Sequence, residues 1–206
     1  MKFNIKDEYN PKSVWDGYSK DWEKNYSDKN YLGDEWGDPR LKIREKYIDP
    51  FLQKEKQMTS LEIGPGGGKW TKILLELSEK VYCVDISKEM LNRTQKRFSN
   101  IDNLELELID GVTISNIPKY SINFFFTYDT FVHLEPRDIY NYLKQVYFLM
   151  KPGAVGIAHY SDVLSKLGWK KFEASIKPEN LLNKRLGTEF SNDLRNYDQI
   201  FIRIGV

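Results

Sequence analysis

Short apolar runs alternate with helical repeats through the middle of the chain. The runs "MTSLEIG" and "KVYCVDIS" predict buried strands, and the segment between them places Ile73, Leu74 and Leu77 on one helical face. Further strands are predicted at 103–110, 121–129 and 154–161, and helices at 69–79, 88–98 and 136–150. This alternation is typical of an α/β fold with a mostly parallel sheet and helices on both faces.

The first 56 residues have a different pattern, which is polar, rich in aromatic residues and without strand-like runs. Four aromatic residues recur at spacings of three, four and four: Trp15, Tyr18, Trp22 and Tyr26. Such spacing predicts one face of a helix, and Ser13 is placed to cap it. A second helix is predicted over 41–53, where Pro50 should end or kink it.

The end of the chain, residues 162–206, has a weaker pattern. A helix is predicted over 164–175, and "NYDQIFIRIGV" at 196–206 predicts a final edge strand. No further strand can be placed between these two elements.

Composition narrows the classes of function. Lys and Arg number 31 and Asp and Glu number 30, so the net charge of +1 gives no electrostatic case for a nucleic-acid or membrane partner. Cys83 is the one cysteine, which excludes internal disulfides and a cysteine-based zinc site. No signal-peptide pattern or long apolar run is present, so we expect a cytoplasmic protein.

The stretch "SLEIGPGGGKWTKILLE" joins the first strand to a helix through four glycines. A triphosphate-binding loop needs glycine where Ile63 stands and Ser or Thr where Trp70 stands, so that interpretation fails. A dinucleotide-binding loop fits Gly64 and Gly66 but has Lys69 where a small residue belongs, which weakens that interpretation without excluding it.

The stretch does fit the pattern E-x-G-x-G-x-G, formed by Glu62, Gly64, Gly66 and Gly68. A carboxylate before the first glycine suits a positively charged ligand such as S-adenosylmethionine, whose charge Glu62 would balance. Asp85 ends the second strand, where an acid can accept hydrogen bonds from both ribose hydroxyls. Asp110 ends the third strand, where the adenine amino group would lie.

Five motifs occur in order over residues 57–161: "LEIGPGGG", "VDIS", "ELIDG", "FFFTYDTFVHLEP" and "LMKPGAVGIAHYS". Together they resemble the class I S-adenosylmethionine-dependent methyltransferases. The resemblance implies the seven-stranded Rossmann-like methyltransferase fold and S-adenosyl-L-methionine as cofactor. It also implies a set of cofactor-contacting positions, which are Glu62, Gly64, Asp85, Ile86, Asp110, Gly111 and Tyr128.

One domain is therefore expected over residues 1–206. It would comprise a helical N-terminal lid (1–56), a cofactor-binding core (57–161) and a C-terminal region (162–206). The family has a helix and two strands after the fifth strand, so this C-terminal region would be shortened.

His133 follows the fourth strand, on the rim where acceptors sit in the resembling family. It or Asp129 is the predicted general base, or Asp129 orients His133. The predicted substrate and lid residues are Trp15, Tyr18, Trp36, Arg44, His159 and Tyr160. Most of the aromatic stripe is expected to serve packing, and His159 fits a buried core histidine better than a functional one. No metal is expected.

These features predict an S-adenosylmethionine-dependent methyltransferase with a small polar acceptor, preferably a sugar-like hydroxyl compound. The alternatives are an N-methyltransferase, a regulatory subunit that binds S-adenosylmethionine without catalysis, and an NAD-dependent or nucleotide-sugar oxidoreductase. The pattern does not define the oligomeric state.

Overall fold

The computed structural model describes residues 11–25, 30–32, 38–52, 56–162 and 199–205. The strands within these residues are β1 (Thr59–Ile63), β2 (Lys80–Asp85), β3 (Leu104–Leu108), β4 (Ile122–Thr127), β5 (Met150–Ser161) and β6 (Gln199–Gly205). They form one sheet in the order β3-β2-β1-β4-β5-β6, in which β1 to β5 are parallel and β6 pairs antiparallel with β5. The predicted mostly parallel sheet and the predicted last strand are confirmed.

The helices of the described residues are α1 (Pro11–Asn25), α2 (Arg40–Ile43), α3 (Thr71–Leu77), α4 (Lys88–Arg97) and α5 (Pro136–Leu149). A π-helical turn (Arg44–Ile48) continues α2, and a 3-10 turn (Phe131–His133) precedes α5. The helix predicted over 41–53 is thus shorter, because Pro50 lacks the amide proton that would extend it. The predicted cap at Ser13 is wrong: α1 begins at Pro11, so Ser13 lies in its first turn.

The sheet carries an apolar core on each face, and the three phenylalanines of β4 show this most directly. Phe125 packs in the core that includes residues of α5, whereas Phe124 and Phe126 pack in the core that includes residues of α3. All three side chains are fully buried. Each such burial stabilises the fold by about 1.5–3 kcal/mol, so β4 anchors both layers. Helices therefore cover both faces of the sheet, as predicted.

The order of the strands places a switch point between β1 and β4. Successive strands run outward from β1 to β2 and β3 on one side, and from β4 to β5 on the other. In parallel sheets of this kind, ligands bind at the carboxyl ends of the strands beside such a point. The glycine loop follows β1 at this point, so we expect the ligand-binding site at this edge of the sheet.

Several predicted features lie outside the described residues. These are Tyr26, Trp36, the helix over 164–175 and the region in which the seventh strand of the family would lie. Six strands are present in the part of the chain that the structure describes.

Candidate cofactor site and acceptor rim

The glycine loop has a left-handed backbone that favours glycine. Gly64, Gly66 and Gly68 have φ angles of 73°, 55° and 85°. A Cβ atom on Gly64 would lie 2.6 Å from Cγ2 of Thr130, and one on Gly68 would lie 2.6 Å from Cε2 of Phe98. At Gly64 and Gly68, the groups that approach the backbone are therefore the chain's own side chains. Only at Gly66 is the loop open, with the nearest atom at 3.8 Å.

Two threonine hydroxyls fix the shape of this loop. Oγ1 of Thr94, on α4, donates to the carbonyl of Gly66 at 2.9 Å. Oγ1 of Thr130 lies 3.2 Å from the carbonyl of Ile63 and 3.3 Å from that of Gly64. Neither threonine was predicted to contact the loop: Thr94 belongs to no motif, and Thr130, although it lies in the motif "FFFTYDTFVHLEP", is distant from the loop in sequence.

Glu62 lies below the loop and is buried. Oγ1 of Thr71 donates to its carboxylate at 2.6 Å, and Sγ of Cys83 lies 3.5 Å away. Burial raises the pKa of Glu62 to about 7. The carboxylate thus joins β1 to the first turn of α3 across the glycine loop. Its direct contact with a cofactor stays a prediction.

Asp85 ends β2 with a buried carboxylate beside the loop. Its Oδ1 accepts the amide of Ser87 at 2.8 Å, and the amides of Gly66 and Ile86 also hydrogen-bond to it. Burial raises the pKa of Asp85 to about 6, the amides oppose this effect, and the nearby Asp16 adds to it. A buried carboxylate at this strand end is placed to accept hydroxyl donors.

Asp110 and Gly111 follow β3. Oδ1 of Asp110 accepts the amides of Val112 and Thr113, both at 2.7 Å. The hydrogen bonds from Thr113 and then Val112 lower the pKa of this exposed carboxylate. Gly111 has a φ of 90°, and a Cβ there would lie 3.5 Å from Cγ2 of Ile86. The loops after β2 and β3 therefore meet at Ile86 and Gly111, next to Asp110 in sequence, and contact of these residues with a cofactor stays a prediction.

Tyr128 follows β4 and contacts two rings, stacked on His159 and tilted against Trp70. Its ring centroid lies 4.7 Å from that of Trp70 and 4.4 Å from that of His159. His159 is fully buried, so the structure does not support its predicted contact with substrate. Tyr160, on the opposite side of β5, packs against the core on the α5 face. The two side chains serve packing in the described structure.

His159 instead fixes the backbone of Asp129. The amide of Asp129 donates to Nδ1 of His159 at 3.0 Å, so that nitrogen carries no proton. Oδ1 of Asp129 also lies 3.3 Å from Nδ1 of His159. Because Nδ1 accepts the backbone amide, it does not donate a hydrogen bond to this carboxylate. Asp129 has a left-handed φ of 58°, and its side chain is 56% exposed. The buried histidine thus holds Asp129 with its carboxylate toward solvent.

His133, in the 3-10 turn after β4, is half-buried and contacts α1. Its ring centroid lies 4.9 Å from that of Trp15, in an edge-to-face arrangement. Trp15 in turn contacts Tyr18 at 6.0 Å, and Tyr18 contacts the buried Trp22 at 6.5 Å. Trp15 therefore lies at the rim, and Trp22 serves packing, which fits the predicted division of the stripe.

The N-terminal segment is docked along α4. Arg93 donates to the carbonyl of Ser19 at 2.6 Å, and Arg97 donates to that of Asn30 at 2.7 Å. Leu32 reaches the glycine loop, since its Cδ1 would lie 3.3 Å from a Cβ on Gly67. The described N-terminal residues therefore contact α4 and the glycine loop, and a lid function for this segment stays a prediction.

Arg44 does not belong to this site. Its guanidinium pairs with Asp49 at 3.1 Å and with Glu76 of α3 at 3.0 Å. The described contacts do not support the prediction that Arg44 is a lid residue, because these two carboxylates hold it beside α3.

The residues at this edge suit S-adenosylmethionine. Asp85 would accept the ribose hydroxyls, the loops that carry Ile86, Asp110 and Gly111 would hold the adenine, and the open backbone at Gly66 would pass beside the ligand. The buried Asp85 carboxylate is costly to ionise, and hydroxyl donors would lower that cost.

The comparisons with known proteins agree with this fit. A methyltransferase domain model matches residues 61–153. This range runs from within β1, through the glycine loop and β2 to β4, to the start of β5. The predicted resemblance to the class I S-adenosylmethionine-dependent methyltransferases is therefore supported. Structures of this fold that were solved with S-adenosylmethionine or S-adenosylhomocysteine also support the predicted cofactor.

Two solved methyltransferase structures share the fold of this chain. One is a phosphoethanolamine N-methyltransferase of Haemonchus contortus in complex with phosphoethanolamine and S-adenosylhomocysteine, with a TM-score of 0.59 and 21% identity. It covers 75% of the present chain, which covers 32% of it. The other is an S-adenosylmethionine-dependent methyltransferase from Aquifex aeolicus, with a TM-score of 0.54 and 21% identity, covering 78% of the present chain and 88% of its own. At these identities the likeness shows the fold alone.

A curated relative is the ribosomal RNA small subunit methyltransferase A of Fusobacterium nucleatum, which is 44% identical over 107 residues. The match covers 39% of the present chain and 40% of that protein, so the chain spans less than half the length of this relative. A relative that is named for ribosomal RNA contradicts the expectation of no nucleic-acid partner. That expectation rested on the net charge, which does not describe how charge is distributed: α4 alone carries Lys88, Arg93, Lys96 and Arg97.

The described residues contain no helix that is long and apolar enough to cross a membrane.

Proposed function

We propose that the chain transfers the methyl group of S-adenosylmethionine to a hydroxyl group of a small, polar, sugar-like acceptor. The observation that carries this proposal is the rim after β4, which carries the exposed Asp129 carboxylate and His133 in contact with Trp15 of α1. Thr130, between them in sequence, packs against Gly64, so the rim and the cofactor loop form one continuous surface.

The chemistry divides between the cofactor and the chain. When bound, S-adenosylmethionine supplies a methyl group on a sulfonium, which is a good leaving group. The protein aligns the acceptor with the methyl group and excludes water from the site, so it accelerates the reaction through proximity and orientation. A hydroxyl acceptor also needs to lose its proton, and the carboxylate of Asp129 or the imidazole of His133 would accept it.

His159 supports this role for Asp129. By accepting the Asp129 amide it holds a left-handed backbone, a conformation that costs about 1 kcal/mol or more and is found most often at functional sites. The Asp129 side chain is 56% exposed, so its carboxylate is accessible to a substrate. A residue that served packing alone would not need an exposed carboxylate on a strained backbone.

A second candidate is methyl transfer to ribosomal RNA, which is favoured by the curated relatives. An RNA base would present a nitrogen acceptor, which can attack the methyl group first and release its proton after the transfer. The two candidates therefore differ in their need for Asp129 and His133.

Turnover with labelled S-adenosylmethionine, read by product mass spectrometry, tests the proposal. Three acceptor pools are compared: polar hydroxyl metabolites, amine metabolites and small-subunit ribosomal RNA. We expect an O-methylated product from the first pool, and Asp129→Asn with His133→Asn should lower kcat by about 10²-fold or more. Labelled RNA or an N-methylated product would overturn the hydroxyl proposal. Cofactor binding without turnover in any pool would instead favour the regulatory subunit.

A further inference from the structure

The contact between α1 and α4 contains a carboxylate that the cofactor site does not explain. Oδ1 of Asp16, on α1, accepts the hydroxyl of Ser87 at 2.5 Å and lies 3.3 Å from the amide nitrogen of Glu89. Ser87 precedes α4, so Asp16 adds a negative charge to the positive end of the α4 dipole. This contact crosses 71 positions of sequence.

Ser87 joins this carboxylate to the predicted ribose site. Its amide donates to Asp85 at 2.8 Å, while its hydroxyl donates to Asp16 and accepts the amide of Met90 at 3.1 Å. One residue therefore hydrogen-bonds to both the acid of the cofactor site and the acid of the lid. A movement of either carboxylate changes the position of Ser87.

The neighbour of Asp16 on α1 reaches the acceptor rim. Trp15 contacts His133, and adjacent residues of a helix point about 100° apart. Fixing Asp16 beside the cofactor edge thus also fixes the Trp15 ring over His133. The two contacts together set the rotation of α1 about its own axis.

We propose that Asp16 is a positioning residue that links binding of the cofactor at Asp85 to docking of the N-terminal lid over the acceptor rim. It acts through Ser87 and has no contact with reacting atoms. This inference depends on the cofactor and not on the proposed acceptor, so it can be tested without methyl transfer.

The test uses the whole chain and S-adenosylhomocysteine as the probe. Asp16→Asn should weaken its affinity about three- to thirtyfold in calorimetry, the equivalent of losing a helix-capping acceptor. Asp16→Glu should recover part of the affinity. Asp21→Asn is the matched control, because Asp21 lies on the same helix with an exposed carboxylate that pairs only weakly with Lys24 at 3.4 Å.

A second measurement separates linkage from a loss of stability. Saturating S-adenosylhomocysteine should slow tryptic cleavage at the lysines of α1 in the wild-type chain and in Asp21→Asn, but not in Asp16→Asn. Combining Asp16→Asn with Ser87→Ala should weaken affinity less than the two single effects multiplied. Equal affinity and equal protection in Asp16→Asn and Asp21→Asn would overturn the proposal. If the wild-type chain binds S-adenosylhomocysteine but methylates no acceptor, that result would refute the proposed function and leave the role of Asp16 standing.

Discussion

Asp85 ends β2 with a buried carboxylate that accepts a hydrogen bond from the Ser87 amide at 2.8 Å. Burial raises its pKa to about 6, well above the ordinary value for an aspartate. In an acid whose pKa is raised by folding, the protonated form is the one that folding favours. The ionised form that ribose hydroxyls need is therefore populated only as the pH rises through about 6.

This pKa predicts how cofactor affinity changes with pH. S-adenosylhomocysteine should bind about tenfold more weakly at pH 5 than at pH 7.5, because at pH 5 about nine tenths of the Asp85 carboxyls carry a proton. Calorimetry across this range measures the effect. Asp85→Asn should bind weakly at every pH with a flat profile. A slope that persists in Asp85→Asn would assign the titration to another group, such as Glu62, whose pKa is raised by burial to about 7.

The glycine loop, at the scale of one element, is held by contacts that a ligand does not make. Thr130 occupies the space above Gly64, and Phe98 occupies the space above Gly68. The loop is therefore shaped before any cofactor binds, and the left-handed residues serve both conformation and packing.

Gly64→Ala and Gly153→Ala form a matched pair that separates these two effects. Both glycines are left-handed, with φ angles of 73° and 81°, but only Gly64 has a neighbour that a Cβ would meet. Gly153→Ala should lower the free energy of unfolding by about 1 kcal/mol through backbone strain. Gly64→Ala should lower it by about 2–4 kcal/mol, because overpacking adds to the strain. Urea denaturation measures the free energy of unfolding of both variants. An equal decrease in the two variants would show that the Thr130 side chain moves away without cost.

Local sequence predicted the elements of the core better than their contacts. The glycine loop after β1 and the acid that ends β2 could be predicted because each lies next to a strand in the sequence. The three consecutive phenylalanines of β4 predicted a strand that is buried on both faces. By contrast, Asp16 meets Ser87 across 71 positions, and no local pattern says which helix end a distant carboxylate will reach. The contacts of Arg44 were missed for the same reason, since its partner Glu76 lies on α3, 32 positions away.

At the scale of the whole molecule, the described N-terminal residues are held against α4, beside the carboxyl ends of the strands. Arg93 and Arg97 of α4 hold the segment through backbone carbonyls, and Tyr31 lies between two guanidinium groups, with Arg97 at 3.9 Å and Arg40 at 4.8 Å from its ring. Cation–π contacts of this kind contribute about 0.5–2 kcal/mol each. The lid therefore depends on α4, the same helix whose first turn lies beside Asp85.

The central claim is that the edge formed by the glycine loop and Asp85 binds S-adenosylmethionine. Calorimetric titration of the wild-type chain and of Asp85→Ala with S-adenosylmethionine, with NAD titrated in parallel, tests it most directly. The account predicts binding of S-adenosylmethionine, no comparable binding of NAD, and a loss of about 1–3 kcal/mol of binding free energy in a folded Asp85→Ala variant. Tight binding of NAD alone, or an unchanged affinity of folded Asp85→Ala for S-adenosylmethionine, would contradict it.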